Sequence, residues 1–143
     1  MSKIRFKKVA FIGMGLIASS MARSMRELGI ADRIVTSVRS QETMKIALEL
    51  RLVNEAFNNA SEAVKDADLV VIAIPLGGYD GVFKEISSHL GSSTIITDVG
   101  SVKEVTLDIA KKYLSNIDMF VPGHPIAGTE HSGPRSGFAD LFK

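Results

Sequence analysis

Six residues near the N-terminus, Gly13-Met14-Gly15-Leu16-Ile17-Ala18, constrain this chain more than any other feature. They follow a short β-rich apolar run at 9–12 and open a segment of helical period, the context that turns a weak glycine pattern into a serious one. Gly13 allows the tight strand-to-helix turn, Gly15 lets backbone N–H groups approach a pyrophosphate, and Ala18 lets the helix pack closely on the strand. The alternative is a glycine turn entering an ordinary core helix. Strand, spacing and helix together favour a dinucleotide site, with Gly13, Met14, Gly15, Leu16 and Ile17 as its expected contacts from this loop.

From Lys8 onward short β-rich runs alternate with longer segments of helical period, the pattern of β-α-β units on a parallel sheet. The pattern predicts strands over 9–12, 34–37, 69–74, 94–98 and 119–121, with a weaker one over 55–57. Helices are expected over 15–28, 41–50, 61–65, 79–90 and 102–114. Gly29 and Gly91 fall where helices end in the left-handed conformation. The run Leu69-Val70-Val71-Ile72-Ala73-Ile74 is apolar without alternation, so it is expected to be a central strand covered on both faces. Ile74 and Pro75, at its end, are further expected cofactor contacts. The fold class is α/β, a Rossmann-type doubly wound, mainly parallel sheet flanked by helices, and residues 1–143 are read as one NAD(P)-binding domain.

Composition narrows the partners. A chain of 143 residues, 45% of them hydrophobic, fills one core and is too short for two full domains. A net charge of +1 gives no reason to expect nucleic acid. Cysteine is absent, which removes disulfides and thiolate metal sites and fits a reducing, cytoplasmic compartment; no metal site is expected. No apolar run approaches the roughly 20 residues of a membrane helix, so no membrane partner is expected. The basic residues Lys3, Arg5, Lys7 and Lys8 before an apolar stretch imitate a secretory signal, but Gly13 and Gly15 interrupt its apolar core.

The second strand bears on which dinucleotide binds. An NAD site normally places an acidic side chain about 20 residues past the third small residue, to bond the adenosine ribose. Val38 stands there, beside Ser37, Arg39 and Ser40, which are donors suited to a 2′-phosphate. NADP is therefore expected over NAD; the plainer reading of Arg39 is one more solvated charge at a strand end.

Of the three histidines, His89 sits near a helix C-terminus and needs no functional account, and His131 sits in a polar turn, where it reads as a surface or site-edge residue. His124 follows the last strand in Pro122-Gly123-His124-Pro125-Ile126-Ala127-Gly128-Thr129-Glu130, at the carboxyl end of the sheet, where such folds place ligands. A stiff loop presenting one imidazole suits a general base.

Gly13 to Ser19 (GMGLIAS), Asp98 to Lys103 (DVGSVK) and PGHPIAGTE from Pro122, followed by Ser132-Gly133-Pro134, resemble the N-terminal half of the prephenate/arogenate (cyclohexadienyl) dehydrogenases of tyrosine biosynthesis. The likeness runs over essentially the whole chain, with Ala18 where the family usually has glycine. It implies oxidative decarboxylation of a small-molecule substrate, prephenate or arogenate, with an NADP or NAD cofactor. It implies His124 as the catalytic histidine, Ser101 as the serine that orients it and helps bind substrate, and Thr129 and Glu130 as positions lining the substrate. It also implies a second, all-helical domain through which family members dimerise and which this sequence does not include.

Each residue has a plainer reading. Ser101-Val102-Lys103-Glu104 is also a helix capping box, and both roles can coexist in one hydroxyl. Glu130 could be a solvated loop charge and Thr129 a turn residue. Rival functions are another Rossmann reductase of the β-hydroxyacid dehydrogenase or pyrroline-carboxylate reductase type, and an NAD(P)-binding module without turnover.

Overall fold

Strand and helix alternate through the described residues, and every strand among them pairs parallel to its neighbours. The computed structural model describes residues 5–100 and 103–123. In chain order the elements are β1 (Phe6–Ile12), α1 (Leu16–Leu28), β2 (Ala31–Ser37), α2 (Gln41–Glu49), β3 (Glu55–Phe57), α3 (Ala60–Ala63), β4 (Leu69–Ile72), α4 (Tyr79–Ile86), β5 (Ile95–Asp98), α5 (Lys103–Tyr113) and β6 (Phe120–Val121). The strands form one sheet in the order β3-β2-β1-β4-β5-β6. The chain winds outward from β1 to β3, crosses back to lay β4 against the other side of β1, and winds outward again. The point of reversal lies between β1 and β4, where a crevice opens beyond the strands' carboxyl ends.

Alternation of side chains along the central strands builds two cores. From β1, Val9 and Phe11 pack with Ala18, Ala22 and Met25 of α1 and Ala47 of α2. Ala10 and Ile12 face the other way, into a core with Ala63 of α3, Tyr79, Phe83 and Ile86 of α4 and Ala110 of α5. Phe83 meets Phe120 of β6 edge-on at 5.9 Å, a favoured aromatic geometry. All of β4 is buried, as a run apolar on both faces requires. Small residues let α1 sit close: Ala18 and Ala22, one turn apart, have no exposed surface.

The expected strands and helices all form among the described residues, with shifted ends. β1 and β2 start three residues before the expected 9 and 34. β4 stops at Ile72 rather than Ile74; the N–H of Ala73 still reaches Ile12 O at 2.8 Å, but Pro75 has no N–H for a ladder and restricts the residue before it. α4 tightens after Ile86 into a 3₁₀ turn over Ser87–His89, where the Ser87 hydroxyl donates to Lys84 O. Gly29 caps α1 in the left-handed conformation (φ 64°), as expected. Gly91 does not: Leu90 is already extended after the 3₁₀ turn, so no left-handed residue is needed, and the Gly91 N–H is held by Thr94 Oγ1.

Candidate functional site

β1 ends in a turn that only glycine can make. Gly13 has φ +96°, and a Cβ there would collide with the carbonyl oxygen of Ala73 and stand 2.9 Å from Ile74 Cγ2. The turn is pinned by the Gly13 N–H donating to Ser37 O at the end of β2, 2.8 Å. Gly15 then caps α1 with no side chain satisfying its first amides and no acidic residue in its first turn. A Cβ on Gly15 would meet no protein atom within 4 Å, so the space it leaves belongs to the crevice. Amides at a helix N-terminus that point into open space suit an anion.

The crevice is a cleft of about 730 Å³ across the ends of β1, β2 and β4. Gly13, Met14 and Gly15 line its floor, Ser37, Arg39 and Ser40 one end, and Ile74 and Pro75 the wall above β4. Leu16 and Ile17, in the first turn of α1, are half-buried and are not among its lining residues. Sequence reasoning did not nominate Thr43, Asn58, Gly77, Gly78, Val82 or Glu85, which complete the wall. They come from α2, the β3–α3 turn, the 3₁₀ turn over Leu76–Gly78 and α4. Glu85 accepts the Ser61 N–H at 2.8 Å, and Gln41 donates to Asn58 across the cleft's far end at 3.3 Å.

Arg39 is exposed at the cleft. Ser40 caps α2 by accepting the Thr43 N–H at 3.2 Å, which leaves its hydroxyl proton to donate. Val38 occupies the position where an acid would stand and buries its side chain in the α1–α2 core beside Met14 and Ala47. An extended ligand with phosphates fits this arrangement: uncapped amides at the centre, a guanidinium and hydroxyls at one end, apolar walls between.

A second cluster lies at the end of β5. Asp98 is buried, and four groups donate to its carboxylate. Lys103 Nζ reaches Oδ1 at 2.8 Å and Oδ2 at 2.9 Å, Tyr79 Oη reaches Oδ2 at 3.0 Å, the Gly100 N–H reaches Oδ2 at 3.0 Å, and the Gly123 N–H reaches Oδ1 at 3.1 Å. Burial, then the charge of Asp98 and the hydrogen bond to it, push the Tyr79 phenol well above its ordinary range, so it stays a donor. Sequence reasoning noticed the segment 98–103 but not the carboxylate. Ser101, His124, Thr129 and Glu130 lie outside the described residues. Among the described residues no cluster of His, Cys, Asp and Glu could hold a metal, and no helix is long and apolar enough to cross a membrane.

A parallel sheet wound outward in both directions, with a glycine turn and an uncapped helix at its point of reversal, defines a nucleotide-binding domain of the Rossmann class. Residues 21–143 match the family described as prephenate dehydrogenase, nucleotide-binding domain. The chain belongs to that family. Cyclohexadienyl dehydrogenase of Zymomonas mobilis is 36% identical over 138 residues, covering 96% of this chain and 47% of that protein. Among solved structures, prephenate dehydrogenase of Aquifex aeolicus in complex with hydroxyphenyl propionate and NAD+ superposes with a TM-score of 0.88 at 27% identity, over 99% of this chain and 49% of that one. Synechocystis arogenate dehydrogenase superposes with a TM-score of 0.84 at 31% identity, over 94% of this chain and 46% of that one. The chain thus spans less than half the length of these relatives.

Proposed function

We propose that this domain holds the cofactor of an enzyme that oxidatively decarboxylates prephenate or arogenate, with NADP preferred to NAD. The observation that carries the reading is the cleft itself: uncapped α1 amides at the bare Gly15, with Arg39 rather than an acid at the ribose end. The α1 amides would hold the pyrophosphate. Arg39, with the hydroxyls of Ser37 and Ser40, would hold the 2′-phosphate, a charge-assisted contact commonly contributing about 1.5 to 3 kcal/mol. The dinucleotide, when bound, supplies a hydride acceptor.

His124 takes the proton of the substrate's ring hydroxyl as its carbon loses hydride, and Ser101 orients the imidazole. With an ordinary pKa of about 6.5, histidine is neutral and accepting at pH 7. The bond from the ring to its carboxylate then breaks, CO2 leaves, and the bonding pair moves through the ring onto the new carbonyl oxygen, which takes back the proton held by His124 to give a phenol. Thr129 and Glu130 line the substrate.

The test is reduction of NADP and of NAD, followed by absorbance, with prephenate and with arogenate. In the full protein, His124→Asn should lower turnover by about 10² to 10⁴-fold while leaving dinucleotide affinity intact. Binding of dinucleotide without turnover of either substrate would replace the enzyme with a binding module.

A further inference from the structure

A carboxylate out of water is costly unless donors surround it. Asp98 is 1% exposed, and its five contacts from four donors fill the roughly four lone-pair positions a carboxylate offers. Lys103 alone would balance the charge. The other contacts have a different logic: two are main-chain amides from separate stretches of chain, Gly100 at the end of β5 and Gly123 after β6. Both approaches are as close as a main chain permits. A Cβ on Gly100 would lie 2.7 Å from Tyr79 Oη, and one on Gly123 would lie 2.5 Å from Asp98 O. The next residue after Gly100 is Ser101 and the next after Gly123 is His124.

We propose that Asp98 is a positioning residue that fixes the segments ahead of Ser101 and His124 relative to each other, and so sets the geometry of proton transfer. The proposal rests on the reaction assigned above to those two residues. One carboxylate holding both segments at β5 does what neither segment can do alone, because the two are joined only through α5 and β6. Tyr79 and Lys103 hold the carboxylate itself from two further elements, α4 and α5. None of these five residues lines the cleft of the glycine loop, so positioning and cofactor binding are separable in an experiment.

The comparison uses the full protein and two variants, Asp98→Asn and the charge-neutral pair Asp98→Asn/Lys103→Met. Asparagine keeps the shape of the side chain but cannot accept at both positions. Replacing both members of a buried ion pair is often neutral for stability, so the double variant remains testable if the single one does not fold. Misplacement by about 1 Å can cost on the order of a hundred-fold, so kcat should fall by about that factor. Dinucleotide affinity, read by fluorescence titration, should stay within about twofold, as for a distant independent site. Amide exchange at Gly100 and Gly123 should accelerate by about tenfold or more as their acceptor is lost. A folded double variant with wild-type kcat, or with both amides still protected, overturns the proposal and leaves Asp98 a stabilising residue only. If the unaltered protein turns over neither substrate, the reaction assignment fails, and the two amides alone decide whether the brace exists.

Discussion

Gly13 rests on the carbonyl oxygen of Ala73 at a φ of +96°, so close that any side chain would overlap that oxygen. Two residues later Gly15 has an ordinary φ of −92° and open space where a side chain would go. The two glycines of one motif therefore answer to different demands, the first to the fold and the second, under the proposed function, to the ligand. Gly13→Ala should cost about 2 to 4 kcal/mol, combining left-handed strain with a clash against main chain. Gly15→Ala should cost less, about 0.5 to 1 kcal/mol for alanine at an N-cap, yet weaken dinucleotide binding. Denaturant melts and calorimetric titration of both variants check this; a stable Gly13→Ala protein would contradict the account.

Arg39→Ala should weaken NADP by about ten- to a hundred-fold, the value of one charge-assisted phosphate contact, and leave NAD unchanged. Titration of each cofactor into wild type and variant reads the two affinities. Equal losses for both would place Arg39 elsewhere than at a 2′-phosphate.

Ser40 serves α2 whether or not a ligand is bound, since its side chain accepts the Thr43 N–H. Ser40→Ala should therefore lower stability by about 1 kcal/mol in the ligand-free protein, the usual loss for an N-cap. Thermal melts without cofactor isolate that effect from any contribution to binding.

Tyr79 couples stability to alkaline pH. Folded, its pKa lies well above the ordinary 10 because of burial and then the Asp98 charge; unfolded, it titrates near 10. The folded state thus keeps a proton that the unfolded state releases. The resulting stability is whole below about pH 10 and is lost as pH rises toward the folded value, by at most about 1.4 kcal/mol per pH unit. Tyr79→Phe removes that dependence, so the stability difference between wild type and variant should shrink above about pH 10. Parallel slopes in denaturant melts across that range would show that Tyr79 keeps no elevated pKa.

Much of this was legible because it is local. The turn at Gly13, the capping glycine at Gly29 and the all-apolar β4 each announce themselves within a few residues, since a turn, a helix end and a doubly covered strand are short-range requirements. Strand ends were less legible. β1 extends back to Phe6 only because β2 supplies a partner there, with Phe6 opposite Ala31 in the register. Gly91 misled for the complementary reason: a glycine after a helix suggests a left-handed cap, but a 3₁₀ turn had already closed α4.

By itself, then, the sequence determined the alternation of strands and helices, the glycine turn that opens the cleft, and the lack of an acid beside Arg39. Those follow from periodicity, steric demand and side-chain chemistry within a short stretch. Only the tertiary structure decided the far wall of the cleft, drawn from α2, the β3–α3 turn and α4, and the enclosure of Asp98. Its donors stand at positions 79, 100, 103 and 123, on four stretches of chain or element ends. No local pattern brings them together; the sheet does, by laying β5 between β4 and β6 so that one buried carboxylate must find its partners from every side.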